Sequence, residues 1–280
     1  MNQAHEYPEF QMSPTVCCVM LVNGRAEMVN RAIASYKAQT YVAKSLLILD
    51  SGKEPVKRTP YGEYNVTTVW MPDMNGATIG ALRNAANWCA VDHFNANLIA
   101  HFDSDDWSHS RRLEEQVALL QASGKQCVGY RELLFWDTRH FNAHVKGEWQ
   151  TPAPDCENLG ESWIYHNHEP RWCAGASMLY TRASWEACPF DDAPHEDQRW
   201  WLKNTEKCLG VSAQLQQVTE YDVYGSGSSK PCDVVQCEPR MICQMHSGGT
   251  EQIPREVMLR GDVWARASQF DVFCNGVMKL

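Results

Sequence analysis

An α/β fold built on a mainly parallel, Rossmann-like sheet flanked by helices is predicted by three observations. Over the first 110 residues, short continuous apolar runs rich in β-branched residues alternate with segments whose apolar residues recur at helical spacing. Runs of that kind suit strands buried on both faces, which a parallel sheet covered by helices provides. Polar residues close these runs, at the carboxyl ends of strands where open α/β sheets bind their ligands.

The elements follow in order. "TVCCVMLV" (15–22) is the first buried strand, broken at Gly24, and residues 27–37 carry Met28, Ala32, Ile33 and Tyr36 at helical spacing. "SLLILD" (45–50) is a second buried strand stopped by Ser51 and Gly52, and "NVTTVW" (65–70) is a shorter third. "IGALRNAANWCAV" (79–91) reads as a helix after a Gly-containing loop, and "NLIAHF" (97–102) as the fourth strand. Ser110 is expected to cap a helix running to Leu120, with Leu113, Val117 and Leu120 on one face.

The second half has a different texture, with shorter β-like pieces over 126–180, a Pro-rich turn "TPAPD" and many Trp and His. "CAGASMLYTR" (173–182) reads as a strand entered through small residues, and "EDQRWWLKN" (196–204) as a short helix begun by two acids. "YGSGSSKP" (224–231) is a loop or linker by composition, and a candidate lid.

Composition narrows the class. With 44% hydrophobic and 21% charged residues, the 280-residue chain reads as a globular protein of one large or two small domains. A net charge of −9 argues against general nucleic-acid binding, which needs a basic surface. The start "MNQAHEYPEF" lacks the basic and apolar regions of a signal peptide, and no run approaches the roughly 20 apolar residues of a membrane span. The expected location is therefore cytoplasmic, with the twelve cysteines as reduced thiols. Cys232, Cys237, Cys243 and His246 form an alternative zinc set, although their gaps match no compact two-residue pair.

"HFDSDDW" (101–107) places Asp103, Asp105 and Asp106 at the end of the fourth strand, where they must repel one another unless a positive partner is present. A hard divalent cation, Mg²⁺ or Mn²⁺, takes such oxygen ligands and also binds phosphate oxygens. The alternative is an acidic start to the following helix, favoured by its dipole. Asn23, Asp50 and Asp103 close three different strands and should converge on one crevice.

In this register the chain resembles the family-two glycosyltransferases of the GT-A fold. "VMLVNGRAEMVNRAIASYKAQTY" is similar to that family's opening strand, Arg-x-Glu turn and first helix. "LLILDSG" resembles the second strand ending in Asp, "IGALRNAANWCA" the Arg-Asn helix, and "LIAHFDSDDW" the metal-binding strand. The chain departs from the pattern in two places: Leu21-Val22-Asn23-Gly24 replaces a Pro-Thr-Tyr-Asn-like turn, and Ser51 replaces a second Asp. Both lie near the expected nucleotide base, whose identity is left open.

The resemblance implies a nucleotide-sugar-binding subdomain at 13–125, a smaller mixed acceptor-binding subdomain at 126–252 and a C-terminal helical segment at 253–280. It implies donor contacts from Asn23, Asp50, Arg83 and Asp103, with Asp105 holding the metal (Mn²⁺ or Mg²⁺) and Asp106 supporting its shell or capping the next helix. "HEDQRWW" resembles the family's acceptor-side pair, making Asp197 the general base and Glu196 a supporting acid. "MHSGGT" resembles a late segment whose His, here His246, closes the metal shell; the alternative is an ordinary loop histidine. The implied activity is metal-dependent, inverting transfer of a sugar, as a hexosyltransferase, from a UDP-sugar to an acceptor hydroxyl. The acceptor is expected to be soluble and its class is not legible.

A nucleotidyltransferase is the competing enzyme class, but "VNGRAEM" offers one Gly and one Arg where a triphosphate loop would need more. A non-catalytic carbohydrate-binding relative is the other alternative, against which the chain keeps Asp103, Asp105 and Asp197 together. Trp136, Trp149, Trp163, Trp172, Trp200 and Trp201 are candidates for a sugar-stacking platform or for core and groove walls.

Overall fold

Strand β1 (Val16–Val22) lies inside the sheet, and its alternation divides the core into two layers. Val16, Cys18, Met20 and Val22 face one layer, whereas Cys17 and Val19 face the other. The structure is a computed structural model, and it describes residues 13–56, 65–138, 144–145, 148–149, 160–212, 239–246, 258, 263–267 and 270–278. Because both faces of β1 are covered, its sequence is continuously apolar rather than alternating.

Helix α1 (Ala26–Lys37) returns the chain to β2 (Lys44–Asp50), which pairs parallel with β1 and with β3 (Val66–Trp70). Helix α2 (Ile79–Phe94) begins with the Thr78 hydroxyl accepting from the Ala81 N–H and leads to β4 (Leu98–His101), parallel to β1 on its other edge. The predicted strands and helices over 15–102 are all present, and the four strands run parallel. On α1 the buried positions include Val29, while Met28 is only half-buried.

Beyond β4 the sheet becomes mixed. The two-residue strand β5 (Trp107–Ser108) precedes α3 (Arg112–Ser123) and the long β6 (Cys127–Asp137). A small pair, β7 (His144–Val145) and β8 (Glu148–Trp149), is antiparallel. Then come β9 (Glu161–His166), β10 (Leu179–Thr181), α4 (Arg182–Ala187), α5 (Glu196–Asn204), β11 (Cys208–Ser212), β12 (Met241–Met245), β13 (Trp264–Arg266) and α6 (Asp271–Met278). Among the described residues the main order is β13-β9-β6-β10-β4-β1-β2-β3, with β10 antiparallel between β4 and β6.

Helices α1 and α3 pack on the first layer through Ile33, Tyr36, Leu113 and Val117. Helix α2 packs on the second through Leu82, Ala86 and Ala90, beside Trp185 and Trp200. No described helix is long and apolar enough to cross a membrane.

Two expectations are corrected. Ser110 does not cap α3, which starts at Arg112 after Arg111 with no side-chain cap. Residues 107–108 instead pair with β12, more than 130 positions away, and the Ser110 carbonyl accepts from the Thr40 N–H (2.7 Å). Nor is 173–182 all strand: Gly175–Ser177 form a 3₁₀ turn before β10. The candidate lid at 224–231, and Cys232 and Cys237 of the alternative zinc set, lie outside the described residues.

Fully buried Arg112 ties that turn to β4 and α3. Its guanidinium donates to the His101 carbonyl (2.8 Å), the Ala176 carbonyl (3.2 Å), Ser108 Oγ (2.9 Å) and Gln116 Oε1 (3.2 Å), and it lies 5.4 Å from the Phe102 ring centroid. Methionine would match the stem but abandon those acceptors inside the protein. Arg112→Met should lower the unfolding free energy in urea by about 3 kcal/mol, the scale for buried polar groups left unpaired. A change below about 1 kcal/mol would mean that water or relaxation replaces the guanidinium.

Candidate active site

The strand ends bring Asn23, Asp50 and Asp103 to the same edge of the sheet, after β1, β2 and β4. Asp50 is buried, and its two oxygens accept from the Gly52 N–H (3.0 Å) and the Val56 N–H (2.8 Å). It therefore fixes the turn after β2. A Cβ at Gly52 would stand 3.1 Å from Asp50 Oδ1 and 3.7 Å from Asn23 Oδ1, so this glycine permits the turn to close beside both residues. Trp70 ends β3 opposite Asp50; its indole is half exposed and donates to the Gly52 carbonyl (2.9 Å).

Arg83 connects the two halves of the sequence. It projects from α2, is buried, and donates through Nε to Glu196 Oε1 (2.9 Å), with Nη1 3.5 Å from Asp103 Oδ1. Burial opposes its charge, but Asp103 and then Glu196 outweigh burial and raise its pKa further. Gly80, one turn earlier, lets α2 approach: a Cβ there would fall 1.9 Å from the Asp191 carbonyl oxygen and 3.2 Å from Glu196 Cβ.

The three clustered aspartates are not equivalent. Burial raises the Asp103 pKa, with Arg83 opposing and Asp105 reinforcing the shift. For Asp105 burial works the same way, yet the hydrogen bond from His246 and the Arg25 charge prevail and hold its carboxyl below the ordinary range. Asp106 is buried and accepts from the Gln244 N–H (3.0 Å); burial first, then Asp105 and Asp103, push its carboxyl well above that range. Asp106 thus anchors β12 beneath the cluster and does not cap α3.

Asp105 Oδ2 lies 2.9 Å from His246 Nε2 and 3.1 Å from Arg25 Nη1, and that same Nη1 lies 2.9 Å from His246 Nε2. Chain positions 25, 105 and 246 therefore meet at one point. Arg25 reaches it from a left-handed backbone (φ 61°, ψ 51°), a conformation that costs a non-glycine residue about 1–2 kcal/mol. Arg31 supports the floor, donating to the Asp105 carbonyl (2.8 Å) and, at the end of α6, to the Met278 carbonyl (2.7 Å).

Among the described residues no group of three or more His, Cys, Asp or Glu is arranged to hold a metal. The pair Asp105 and His246 offers one carboxylate oxygen and one imidazole nitrogen to a shared point, a donor set acceptable to Mn²⁺ or Mg²⁺ when phosphate oxygens and water complete the shell. The residues fit such an ion once Arg25 leaves the point.

On the opposite wall, α5 begins with buried Glu196 and half-exposed Asp197. Glu196 is occupied by Arg83, whereas half-exposed Asp197 accepts through Oδ1 from the Gln198 N–H (2.8 Å). The carboxylate of Asp197 packs on Gly175, where a Cβ would stand 2.2 Å from Asp197 Oδ2 and 2.8 Å from Asp197 Cβ. The Gly175 carbonyl accepts from His101 Nδ1 (2.6 Å), while His101 Nε2 faces the Tyr180 hydroxyl (3.1 Å), which meets the Asn87 amide (2.9 Å). Burial, with Arg83 next, lowers the His101 pKa well below its ordinary value, so the ring is neutral, with its proton on Nδ1.

The structure thus brings Arg83, Asp103 and Glu196 into contact, and joins Asp105 to His246. Asp50 fixes the turn after β2, and Asn23, after β1, lies beside Gly52 of that turn on the same strand-end edge. Sequence reading missed the parts played by Arg25, His101 and Gly175. The Gly-Arg step after β1 and the run of small residues before β10 are their local marks in the sequence. Of the candidate tryptophans, Trp136, Trp163 and Trp200 are buried and Trp172 and Trp201 half-buried, while the side chain of Trp149 lies outside the described residues.

Comparison with known proteins gives a family and a fold. The family described as Glycosyl transferase family 2 matches residues 17–170. Among solved structures, S. aureus TarS 1-349 in complex with UDP-GlcNAc is 12% identical, with a TM-score of 0.52 over 87% of this chain and 63% of that one. The same protein in complex with UDP gives 12% identity and a TM-score of 0.50 over 82% and 60%. The likeness is one of fold, of the GT-A type, and the chain spans 57–63% of the length of the TarS 1-349 structures it matches. No curated protein sequence matches.

The contact between Gly175 and Asp197 can be tested directly. Gly175→Ala must displace the carboxylate or the turn, and should cost about 1–3 kcal/mol of unfolding free energy in urea, as overpacking does. A variant as stable as the parent would show that α5 does not rest on this turn.

Proposed function

The chain belongs to glycosyl transferase family 2, and from that premise we propose that it transfers a hexose from a UDP-sugar to an acceptor hydroxyl with inversion at the anomeric carbon. The observation that carries this reading is Arg83, which contacts Asp103 after β4 and Glu196, the neighbour of Asp197 at the start of α5. The solved complexes of S. aureus TarS 1-349 with UDP and UDP-GlcNAc support a uridine donor.

On this reading residues 13–125 bind the donor, 126–252 the acceptor, and 253–280 form a C-terminal helical segment. Asn23 and Asp50 border the base and ribose, and Trp70 offers its exposed face at the same edge. Asp103 faces the ribose. Arg83 keeps a fixed positive charge near the nucleotide and holds Asp103 and Glu196 in place. Asp105 and His246 would hold Mn²⁺ or Mg²⁺, which when bound neutralises charge on the departing diphosphate.

Asp197 takes the proton of the acceptor hydroxyl as its oxygen forms a bond to the anomeric carbon. The carbon–oxygen bond to the diphosphate breaks on the opposite face, and the UDP leaves with the electron pair. One displacement gives inversion. Glu196, committed to Arg83, keeps the start of α5 at a fixed distance from the donor. The acceptor is a soluble molecule and the enzyme works in the cytoplasm.

Asp197→Asn separates this role from a binding one. The amide keeps the shape but cannot accept the proton, so transfer should fall about a hundredfold or more while UDP affinity in Mn²⁺ stays near the parent value. Unchanged turnover at saturating donor, with weakened donor binding, would make Asp197 a binding residue and move the search for the base elsewhere.

A further inference from the structure

The contact among Arg25, Asp105 and His246 cannot satisfy all three of its sides. Nη1 of Arg25 is only a donor, and an ionised Asp105 is only an acceptor. If His246 Nε2 carries a proton, it serves Asp105 and faces Nη1 donor to donor at 2.9 Å. If it carries none, it accepts from Nη1 and meets Asp105 Oδ2 lone pair to lone pair at 2.9 Å. One side is repulsive for either placement of the proton.

A cation accepting electron pairs from both Oδ2 and Nε2 removes that conflict, and the atom standing at the shared point is Nη1. The Arg25 side chain is also the more exposed of the three, at 31% against 20% for Asp105 and 8% for His246, so it is the group with a way out. Asp105 and His246 stay where the backbone puts them: the Asp105 carbonyl is held by Arg31, and His246 directly follows β12.

The geometry points to Arg25 as a resident counter-ion that occupies the metal position in the donor-free protein and yields it when a nucleoside diphosphate arrives. The diphosphate does two things at once. Its oxygens complete the shell of a divalent ion, and they give the displaced guanidinium a new anionic partner. Metal and nucleotide then bind as a coupled pair, each tightening the other by the same factor. Metal alone must displace Arg25 with nothing to receive it, and binds weakly. This inference rests on the glycosyltransferase reading of the site and adds to it the order in which the site is charged.

The test is a titration of Mn²⁺ alone, followed by the electron paramagnetic resonance of the free ion, into the parent protein, Arg25→Ala and Arg25→Gln, without and with saturating UDP. Alanine removes the cation and adds no ligand; glutamine keeps more of the bulk and guards against loss of fold. Without UDP both variants should bind Mn²⁺ at least tenfold more tightly than the parent. UDP should tighten Mn²⁺ strongly in the parent and much less in either variant. If the parent shows this UDP dependence but the variants bind Mn²⁺ alone no better than the parent does, Arg25 is not the competitor and the inference fails by itself. A parent protein that binds no Mn²⁺ even with UDP overturns the donor reading, and this inference with it.

Discussion

Arg83, buried between Glu196 at 2.9 Å and Asp103 at 3.5 Å, determines how the two halves of the site face each other. Moving a guanidinium out of water costs several kcal/mol, and here two carboxylates from distant parts of the chain offset that cost. If either acid moved away, the other alone would have to offset the buried guanidinium. The start of α5, and with it Asp197, is thereby fixed relative to the end of β4. Gly80 makes the contact possible, since a side chain there would meet the Asp191 carbonyl.

The crowded aspartates after β4 are explained by their unlike surroundings. Asp105 is held ionised by His246 and Arg25, whereas burial pushes Asp103 and Asp106 toward the neutral form. Repulsion within the cluster is offset because each of the three acids has a partner of its own. Their partners also divide the labour: Arg83 for Asp103, Arg25 for Asp105 and the β12 backbone for Asp106. Beneath them, Arg112 and neutral His101 hold the 175–177 turn on which Asp197 rests.

The parallel half of the fold was legible because β1, β2 and β4 are covered on both faces and therefore apolar in continuous runs, as in Cys17 to Met20 and Leu46 to Leu49. Helix α1 was legible from its helical spacing, α2 from the Gly-containing loop before it and α5 from the two acids that begin it. Ser110 misled because Ser before an apolar stripe usually caps a helix, while here the chain first pairs Trp107 and Ser108 with residues from 241 onward. That competing contact is remote in sequence. The same limit hid Arg25, whose partners lie 80 and 221 positions away, and Gly175, whose neighbour is a carboxylate on another helix. The acids of the site stood out because clustered charge is costly. The groups that orient them did not, because a lone Arg, His or Gly is common.

A crystal structure with UDP and Mn²⁺ bound tests most directly whether Arg83 joins a donor crevice to a base on α5. If it does, Mn²⁺ will be bonded to Asp105 and His246, UDP will lie along the ends of β1, β2 and β4, and the Arg83–Glu196 contact will be intact with Asp197 facing the open side of the diphosphate. UDP seated away from these strand ends, or Arg83 released from Glu196 to grip the phosphates, would contradict it.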